Sequence, residues 1–269
     1  MPYDRQSTGA GSNSWFRCTI AGITCFIEYR DERVMSFYAD YHPHVVPQAE
    51  AADITVPYRE DAVRQVIAGM PDAHESFVEW QLAYDTVSRA MLHFNRLTFH
   101  GACIEFNGKA YVFTASSGTG KSTHIGLWGR YLGSSVQVVN GDKPIISIDG
   151  TNGEADPVIK ACGSPWAGKE RWQRNVQVPL GGICILRRGT DNTIRRAGKQ
   201  EALDELVNRI YLTTNEREAV KALDLLDQIL SHVPIHVLSC DMSEAAVRTS
   251  FEGLTGERYE AWTARNSHH

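Results

Sequence analysis

The stretch Phe113–Thr123, FTASSGTGKST, decides how the rest of the chain is interpreted. It matches the phosphate-binding pattern G-x-x-x-x-G-K-[ST] at Gly120, Lys121 and Ser122, with Ala115 where the pattern begins with glycine. Such a loop points successive backbone N–H groups at an anion, and glycine permits the dihedral angles that this requires. An apolar strand pattern precedes the stretch and a helical pattern follows it. The sequence therefore predicts a loop that binds a nucleoside triphosphate at a helix N-terminus.

Each position of this pattern has a chemical role. The lysine reaches the β- and γ-phosphates, and the hydroxyl that follows it coordinates Mg²⁺. Lys121 is therefore predicted to contact the phosphates and Ser122 to be a metal ligand. The predicted nucleotide-binding set is Ser117, Gly118, Thr119, Gly120, Lys121, Ser122 and Thr123.

A second acidic element follows in VVNGDKP, residues 138–144. The apolar run SVQVV predicts a strand, and Asp142 comes just after its end. In nucleotide hydrolases with this loop, an aspartate so placed supports the metal ion. A Gly-Asp surface turn is the plainer alternative. We expect Asp142 to be a metal ligand and a candidate catalytic residue. The neighbouring Lys143 is expected to contact the substrate.

The hairpin signals set the fold class. Asn107-Gly108 separates two apolar strand patterns, and this pair favours a two-residue turn with positive φ at both positions. Such a turn joins antiparallel strands only. The strand before the loop therefore has an antiparallel neighbour, unlike the usual doubly wound nucleotide fold. Asn152-Gly153 predicts a second hairpin. The expected class is α/β with a mixed, hairpin-rich sheet.

Two regions are expected along the 269 residues. Residues 1–95 are predicted to form a small N-terminal α+β region with a hairpin at Ala21-Gly22, and its candidate role is substrate recognition. Residues 96–269 form the nucleotide-binding core. Ser76 and Glu79 predict a capping box at the start of a helix. The apolar stripe of that helix, expected to pack in a core, is Phe77, Trp80, Tyr84, Val87, Met91 and Phe94.

Later helices are predicted over 199–212 and 215–231, with a last helix in SEAAVRTSFEGL, residues 243–254.

Between these helices and the hairpins lies a loop of glycine, tryptophan and cations, CGSPWAGKERWQRN. It suits a lid or an acceptor pocket, since glycine allows bending, tryptophan excludes water and cations bind anions. The predicted substrate residues here are Trp166, Lys169, Arg171 and Arg174. A basic surface loop with one buried tryptophan is the alternative, and Arg187 and Arg188 are expected to be solvated.

Composition excludes other classes of function. The formal net charge of −5 argues against a nucleic-acid or membrane-surface partner, since both need a basic face. No apolar run approaches the roughly 20 residues of a membrane span. The N-terminal stretch lacks the apolar centre of a signal peptide. Six cysteines without a C-x-x-C pair favour buried thiols in a reducing compartment. We therefore expect a cytoplasmic protein.

The stretch HGACIEFNGKAYVFTASSGTGKST, residues 100–123, resembles the HPr kinase/phosphorylase pattern. Its loop is also similar to that of ATP-dependent phosphoenolpyruvate carboxykinases, which share the fold. The resemblance is greatest to uncharacterised HPr-kinase-like bacterial proteins that carry SGTGKSTH…LW, N-G-D-K-P and G-x-P-W-x-G-K. It covers roughly residues 96–190. It implies a P-loop kinase core of the HPr kinase/PEP carboxykinase type, ATP and Mg²⁺ as cofactors, and a homo-oligomer.

The resemblance also assigns roles. Lys121 and Ser122 match the family's phosphate and Mg²⁺ ligands, and His100 matches its histidine before the first hairpin strand. The family carries two adjacent aspartates, the first taken as the base and the second as a metal ligand. Here the pair is Gly141-Asp142, so the first is absent. His100 and Asp142 are the candidates to assist the acceptor.

These patterns predict an ATP-dependent kinase that moves the γ-phosphate to a hydroxyl of a small metabolite or a peptide Ser/Thr. Two alternatives stay open. One is an ATP-binding sensor that has lost chemistry, with Gly141 marking the loss. The other is a carboxykinase-like enzyme, for which the chain is short. The sequence leaves the acceptor and the oligomeric state undetermined.

Overall fold

The structure is a computed structural model that describes residues 13–47, 51–116, 118–150 and 156–266. The chain forms two compact units that divide between Val87 and Ser88, inside a helix. The role of residues 1–95 in substrate recognition stays a prediction. Across the described residues, no helix is both long and apolar enough to cross a membrane.

The first unit contains a four-stranded sheet in the order β3-β1-β2-β4. Its hairpin turns at Ala21 and Gly22, whose φ angles are 51° and 80°, as the sequence predicted. Strands β1 and β2 pair antiparallel, and β2 and β4 pair parallel. The elements are β1 (Ser14–Ile20), β2 (Ile23–Tyr29), a 3-10 helix (Glu32–Tyr41), β3 (His44–Val46), β4 (Ile54–Val56), α1 (Glu60–Gly69) and α2 (Glu75–Met91).

The predicted capping box at the start of α2 is wrong. Ser76 lies inside the helix, and its Oγ is 2.8 Å from Nδ1 of His74. The carboxylate of Glu79 instead accepts the backbone N–H groups of Arg30 and Asp31, at 3.1 and 3.2 Å. A buried carboxylate that satisfies two distant amides contributes more than the local box, because those amides would otherwise lose their partner.

The apolar stripe of α2 is buried only in part. Trp80, Val87 and Met91 are buried, whereas Phe77 is 37% exposed. Phe77 lies at a tilted angle to the Trp80 ring, with 5.5 Å between ring centroids. The helical period therefore identified the correct face but not its extent.

The second unit contains a nine-stranded mixed sheet. Its main path runs β5-β9-β10-β11-β7-β6-β8, and β13 pairs with β11 and β12. The strands are β5 (Arg96–Thr98), β6 (Ala102–Phe106), β7 (Lys109–Thr114), β8 (Val136–Asn140), β9 (Ile145–Asp149), β10 (Val158–Cys162), β11 (Gln177–Arg188), β12 (Thr193–Arg196) and β13 (Ile235–Cys240).

Five further α-helices accompany this sheet: α3 (Lys121–Leu132), α4 (Lys199–Leu206), α5 (Glu216–His232), α6 (Glu244–Thr255) and α7 (Tyr259–Asn266). The helix predicted over 199–212 ends at Leu206 and continues as a 3-10 turn, Val207–Arg209. Helix α7 was not predicted, since residues 243–254 were expected to form the last helix.

The hairpin prediction is confirmed for β6 and β7. They pair antiparallel, and Asn107 and Gly108 adopt φ angles of 48° and 70°. On its other side β7 pairs parallel with β11. Strands β9 and β10 also pair antiparallel, but the predicted turn at 152–153 lies outside the described residues. The described strands of this unit therefore make the sheet mixed rather than parallel.

Strand β7 is buried on both faces, which fixes the position of the loop after it. Ala110 and Val112 belong to one apolar cluster, and Tyr111 and Phe113 to a second. This alternation follows from the period of two along a strand. Helices α4 and α5 contribute to the first cluster, and α3, α6 and α7 to the second. The carboxyl end of β7 is consequently a rigid platform.

Candidate functional site

The glycine-rich loop, residues 115–120, connects β7 to α3; Ser117 lies outside the described residues. Gly118 and Gly120 adopt φ angles of 73° and 118°, which other residues rarely adopt. Gly120 precedes α3 and has no side chain to cap it, and no acidic residue lies in the first turn. The positive end of the helix therefore faces the loop without a competing carboxylate.

Lys121 begins α3 and folds back over the loop. Its Nζ donates to the carbonyl oxygen of Ala115 at 3.4 Å. Burial lowers the pKa of Lys121, and the charges of Lys143 and Arg209 lower it further, whereas Asp142 opposes them. The ammonium therefore lies within the field of three charged side chains that are distant in sequence.

Asp142 is the acidic centre of this cluster. His100 Nε2 lies 3.3 Å from its Oδ1, and Lys143 Nζ lies 3.9 Å from its Oδ2. Burial by itself would raise the pKa of Asp142, but the hydrogen bond from His100 and the charges of Lys143 and Lys121 outweigh it and lower the pKa. The group is therefore ionised at neutral pH. Burial lowers the pKa of Lys143, against the attraction of Asp142.

Asn140, fully buried at 0% exposure, holds this acid in place. Its Oδ1 accepts the backbone N–H groups of Asp142 and Lys143, at 2.9 and 2.7 Å. Its Nδ2 donates to the carbonyl oxygen of Ser164 at 2.9 Å. The Ser164 hydroxyl in turn donates to the carbonyl oxygen of Lys143 at 2.5 Å. Asn140 and Ser164 thus tie the acidic turn to the loop of residues 163–174.

The position before Asp142 can hold only glycine in this arrangement. A Cβ on Gly141 would lie 2.8 Å from the carbonyl oxygen of Ala167 and 3.5 Å from Cβ of Trp172. The Gly141 N–H donates to the Trp172 carbonyl oxygen at 2.8 Å. A side chain at position 141 would therefore collide with the loop of residues 163–174, which occupies that space.

The predicted substrate residues of the loop 163–174 differ in exposure and in contacts. Trp166 is 3% exposed and belongs to the interior, so its ring does not form a solvent-facing lid. The guanidinium of Arg174 donates to Glu105, Gln137 and the Val138 carbonyl oxygen, at 2.6, 2.6 and 2.9 Å. Those contacts hold it against the sheet rather than beside Asp142.

Two cations of the loop face solvent. Lys169 and Arg171 are exposed. Gly168, with φ of 76°, packs so closely that an added Cβ would lie 3.2 Å from Cβ of Asp142. Lys169 therefore follows the point at which the loop touches the acidic centre. The roles of Lys143, Lys169 and Arg171 toward a substrate stay predictions.

Two arginines contact the glycine-rich loop, and the sequence did not indicate either contact. Arg209 donates to the Ser116 hydroxyl at 3.0 Å, across 93 residues. Its own carbonyl oxygen accepts the His100 N–H at 2.6 Å. Arg188 donates to the Gly118 carbonyl oxygen at 2.6 Å, across 70 residues. Arg188 is exposed, as the sequence predicted, and this bond is an additional contact that the sequence did not indicate. No motif links these residues, because only the sheet order brings them together.

The oxygen donors suit a hard divalent cation. Mg²⁺ is usually bound by one or two protein oxygens together with substrate phosphates rather than by a full protein cage. Ser122, in the first turn of α3, and the ionised Asp142 supply such oxygens. Within the described ranges, no three His, Cys, Asp or Glu side chains cluster as metal ligands. The donor set therefore fits a metal ion that arrives with a nucleotide.

The sequence and the fold were compared with those of known proteins. No protein-family model matches the sequence, and no curated protein matches it. Among solved structures, the chain is similar to an HPr(Ser) kinase/phosphatase from Coxiella burnetii, with 12% sequence identity and a TM-score of 0.31. The match covers 64% of this chain and 99% of that one.

Proposed function

We propose that the protein is an ATP-dependent phosphotransferase that moves the γ-phosphate of ATP to a hydroxyl group. One observation carries the proposal: Lys121, at the start of the helix after the glycine-rich loop, lies within the field of the ionised Asp142. A phosphate-binding lysine and a metal-supporting carboxylate are the two parts that phosphoryl transfer requires at one place.

The cations around the loop support binding of the triphosphate. Burial lowers the pKa of Lys121, and Lys143 and Arg209 are close enough for their charges to lower it further. A bound polyphosphate would relieve that repulsion, because each cation would gain an anionic partner. Arg209 is then placed to stabilise the negative charge of the transferring phosphoryl group, as arginines do in related chemistry.

A magnesium ion would be held by the Ser122 hydroxyl and the Asp142 carboxylate together with phosphate oxygens. When bound, it would neutralise charge on the β- and γ-phosphates. The chain's own contribution is to hold Asp142 in one orientation through the Asn140 side chain.

In the proposed reaction, the acceptor oxygen forms a bond to the γ-phosphorus. The bond from that phosphorus to the β–γ bridging oxygen breaks, and its electron pair leaves with ADP. The hydroxyl proton passes to the Asp142–His100 pair, whose atoms lie 3.3 Å apart. A strong base is not needed, since this transition state is loose and most catalysis comes from positioning and charge. The low pKa of Asp142 is compatible with that role.

The acceptor class is a small metabolite or a peptide Ser/Thr. The test is an acceptor search with γ-labelled ATP, Mg²⁺ and a bacterial extract separated into metabolite and polypeptide fractions. Wild-type protein is expected to label a new species that Lys121→Ala protein does not label. Label that appears only as inorganic phosphate, or nowhere, would contradict the proposal.

The rival function is a nucleotide sensor without chemistry. It is favoured by Gly141, since the close packing there leaves no room for a second carboxylate. Asp142→Asn distinguishes the two. For a kinase, turnover falls by orders of magnitude while the protein still binds ATP. Equal ATP consumption by the wild-type and variant proteins would show that Asp142 is not the functional acid.

A further inference from the structure

A cavity of about 470 Å³ opens beside the glycine-rich loop. The loop forms one wall through Gly118, Thr119 and Gly120. The opposite wall comes from the carboxyl ends of β11 and β13 and the turns that follow them. Pockets that bind small ligands usually measure about 300–1,000 Å³, so this cavity is large enough for one.

The walls combine an apolar surface with few polar groups. Leu127 of α3, Leu186 of β11 and Met242 provide apolar contact. Met242 is 76% exposed at the rim, and its flexible thioether can adapt to a flat ligand. Such a lining, with a small number of oriented polar groups, is typical of a site for a planar organic moiety.

The charged groups of the described lining limit where a phosphate can lie. Arg187 is paired with Glu201 and Glu205, at 3.1 and 2.9 Å. Arg188 is fixed by its hydrogen bond to the Gly118 carbonyl oxygen. Asp241 adds a carboxylate, whose Oδ1 accepts the Ser243 N–H at 2.9 Å. Asp241 offsets the positive charge that Arg188 keeps in that bond, so these groups offer a polyphosphate no net attraction and the uncharged end of a ligand suits the cavity better.

We infer that the cavity binds the nucleoside end of a ribonucleoside triphosphate whose phosphates lie on the loop. The base stacks on the planar guanidinium of Arg188 against the apolar wall of Leu127 and Leu186. The ribose hydroxyls donate to the Asp241 carboxylate, as sugar diols do to acidic residues in other nucleotide sites. The inference rests on the proposed function and adds residues that recognise the nucleoside.

The test compares equilibrium binding of three probes with Mg²⁺ and no acceptor: ATP, 2′,3′-dideoxy-ATP and inorganic triphosphate. ATP is expected to bind at least about tenfold more tightly than inorganic triphosphate. Asp241→Asn is expected to weaken ATP about tenfold and to leave the other two probes unchanged. Asparagine can still accept the Ser243 N–H. Asp224→Asn, the same chemical change on the exposed face of α5, is the matched control and should change nothing.

A second variant tests the base. Arg188→Lys keeps the charge but removes the planar group, so ATP should weaken several-fold while inorganic triphosphate does not. Equal affinity of ATP and inorganic triphosphate, or an equal effect of Asp241→Asn on all three probes, would overturn the inference and leave the proposed function standing. Failure of both ATP and inorganic triphosphate to bind, or ATP binding that Lys121→Ala does not weaken, would overturn the proposed function and the inference with it.

Discussion

Replacing Gly141 by alanine tests whether the loop of residues 163–174 is packed against the acidic turn. The new Cβ would lie 2.8 Å from the Ala167 carbonyl oxygen, whereas ordinary contact begins near 3.4 Å, so about 0.6 Å of movement is needed. That movement is resisted because the Gly141 N–H is bonded to the Trp172 carbonyl oxygen, and Asn140 is bridged to Gln173.

Overpacking of this kind typically costs about 1–3 kcal/mol. For a protein of this size, 1 kcal/mol shifts the melting temperature by about 2–4 °C. Gly141→Ala is therefore expected to lower the free energy of unfolding by about 1–3 kcal/mol, measured by urea denaturation, and Tm by several degrees. Gly141→Asp, which would place a second carboxylate next to Asp142, should destabilise at least as much because its side chain is larger.

The matched control is Gly126→Ala in α3, where an added Cβ meets nothing within 4 Å. It should raise stability by about 0.5–1 kcal/mol, since alanine is the better helix former. If Gly141→Ala were as stable as the wild type, the close approach of the Ala167 carbonyl oxygen to position 141 would not exist.

Three further predictions concern buried polar groups. Burial lowers the pKa of His124 to about 4, so its stabilising effect is complete above about pH 6.5 and is lost as pH falls towards 4. Relative to His124→Gln, the wild type should lose up to about 3 kcal/mol of unfolding free energy over that range, measured by denaturation at a series of acidic pH values. Parallel pH profiles of the two proteins would contradict this. Burial raises the pKa of Glu79 to about 7, so its contribution to stability is complete below about pH 4.5 and is lost as pH rises through 7. Over that range, the unfolding free energy of the wild type should fall by up to about 3 kcal/mol relative to that of Glu79→Gln. A difference between the two proteins that does not depend on pH would refute this. Asn140→Ala leaves the Asp142 and Lys143 amides without their acceptor, so unfolding free energy should fall by about 2–4 kcal/mol; an effect under 1 kcal/mol in urea would show that the network is not needed.

Features with local causes were predictable from the sequence. The hairpin between β6 and β7 follows from Asn107-Gly108, because these two residues tolerate the positive φ angles of the turn. The strand, loop and helix order around Lys121 follows from the change in apolar period and from glycine in the loop.

Features that depend on distant contacts were not predictable. The pattern at Ser76 and Glu79 favoured a capping box, but the Glu79 carboxylate accepts the backbone N–H groups of Arg30 and Asp31, which lie 49 and 48 residues away in sequence. The cation-rich loop made Arg174 a predicted substrate residue, a role that stays a prediction, but its pairing with Glu105 across 69 residues had no local signal. In each case the partner is distant in sequence.

The sequence by itself determined the local chemistry of this protein: a glycine-rich loop between a strand and a helix, and an acidic turn after the next strand. The tertiary structure alone decided which cations approach the loop, why Gly141 must be glycine, and which residues line the cavity next to it. The physical reason is that dihedral preferences and apolar period act over a few residues. The neighbours of a site are instead set by the order of strands in the sheet, which brings Arg188 and Arg209 to the loop across 70 and 93 residues.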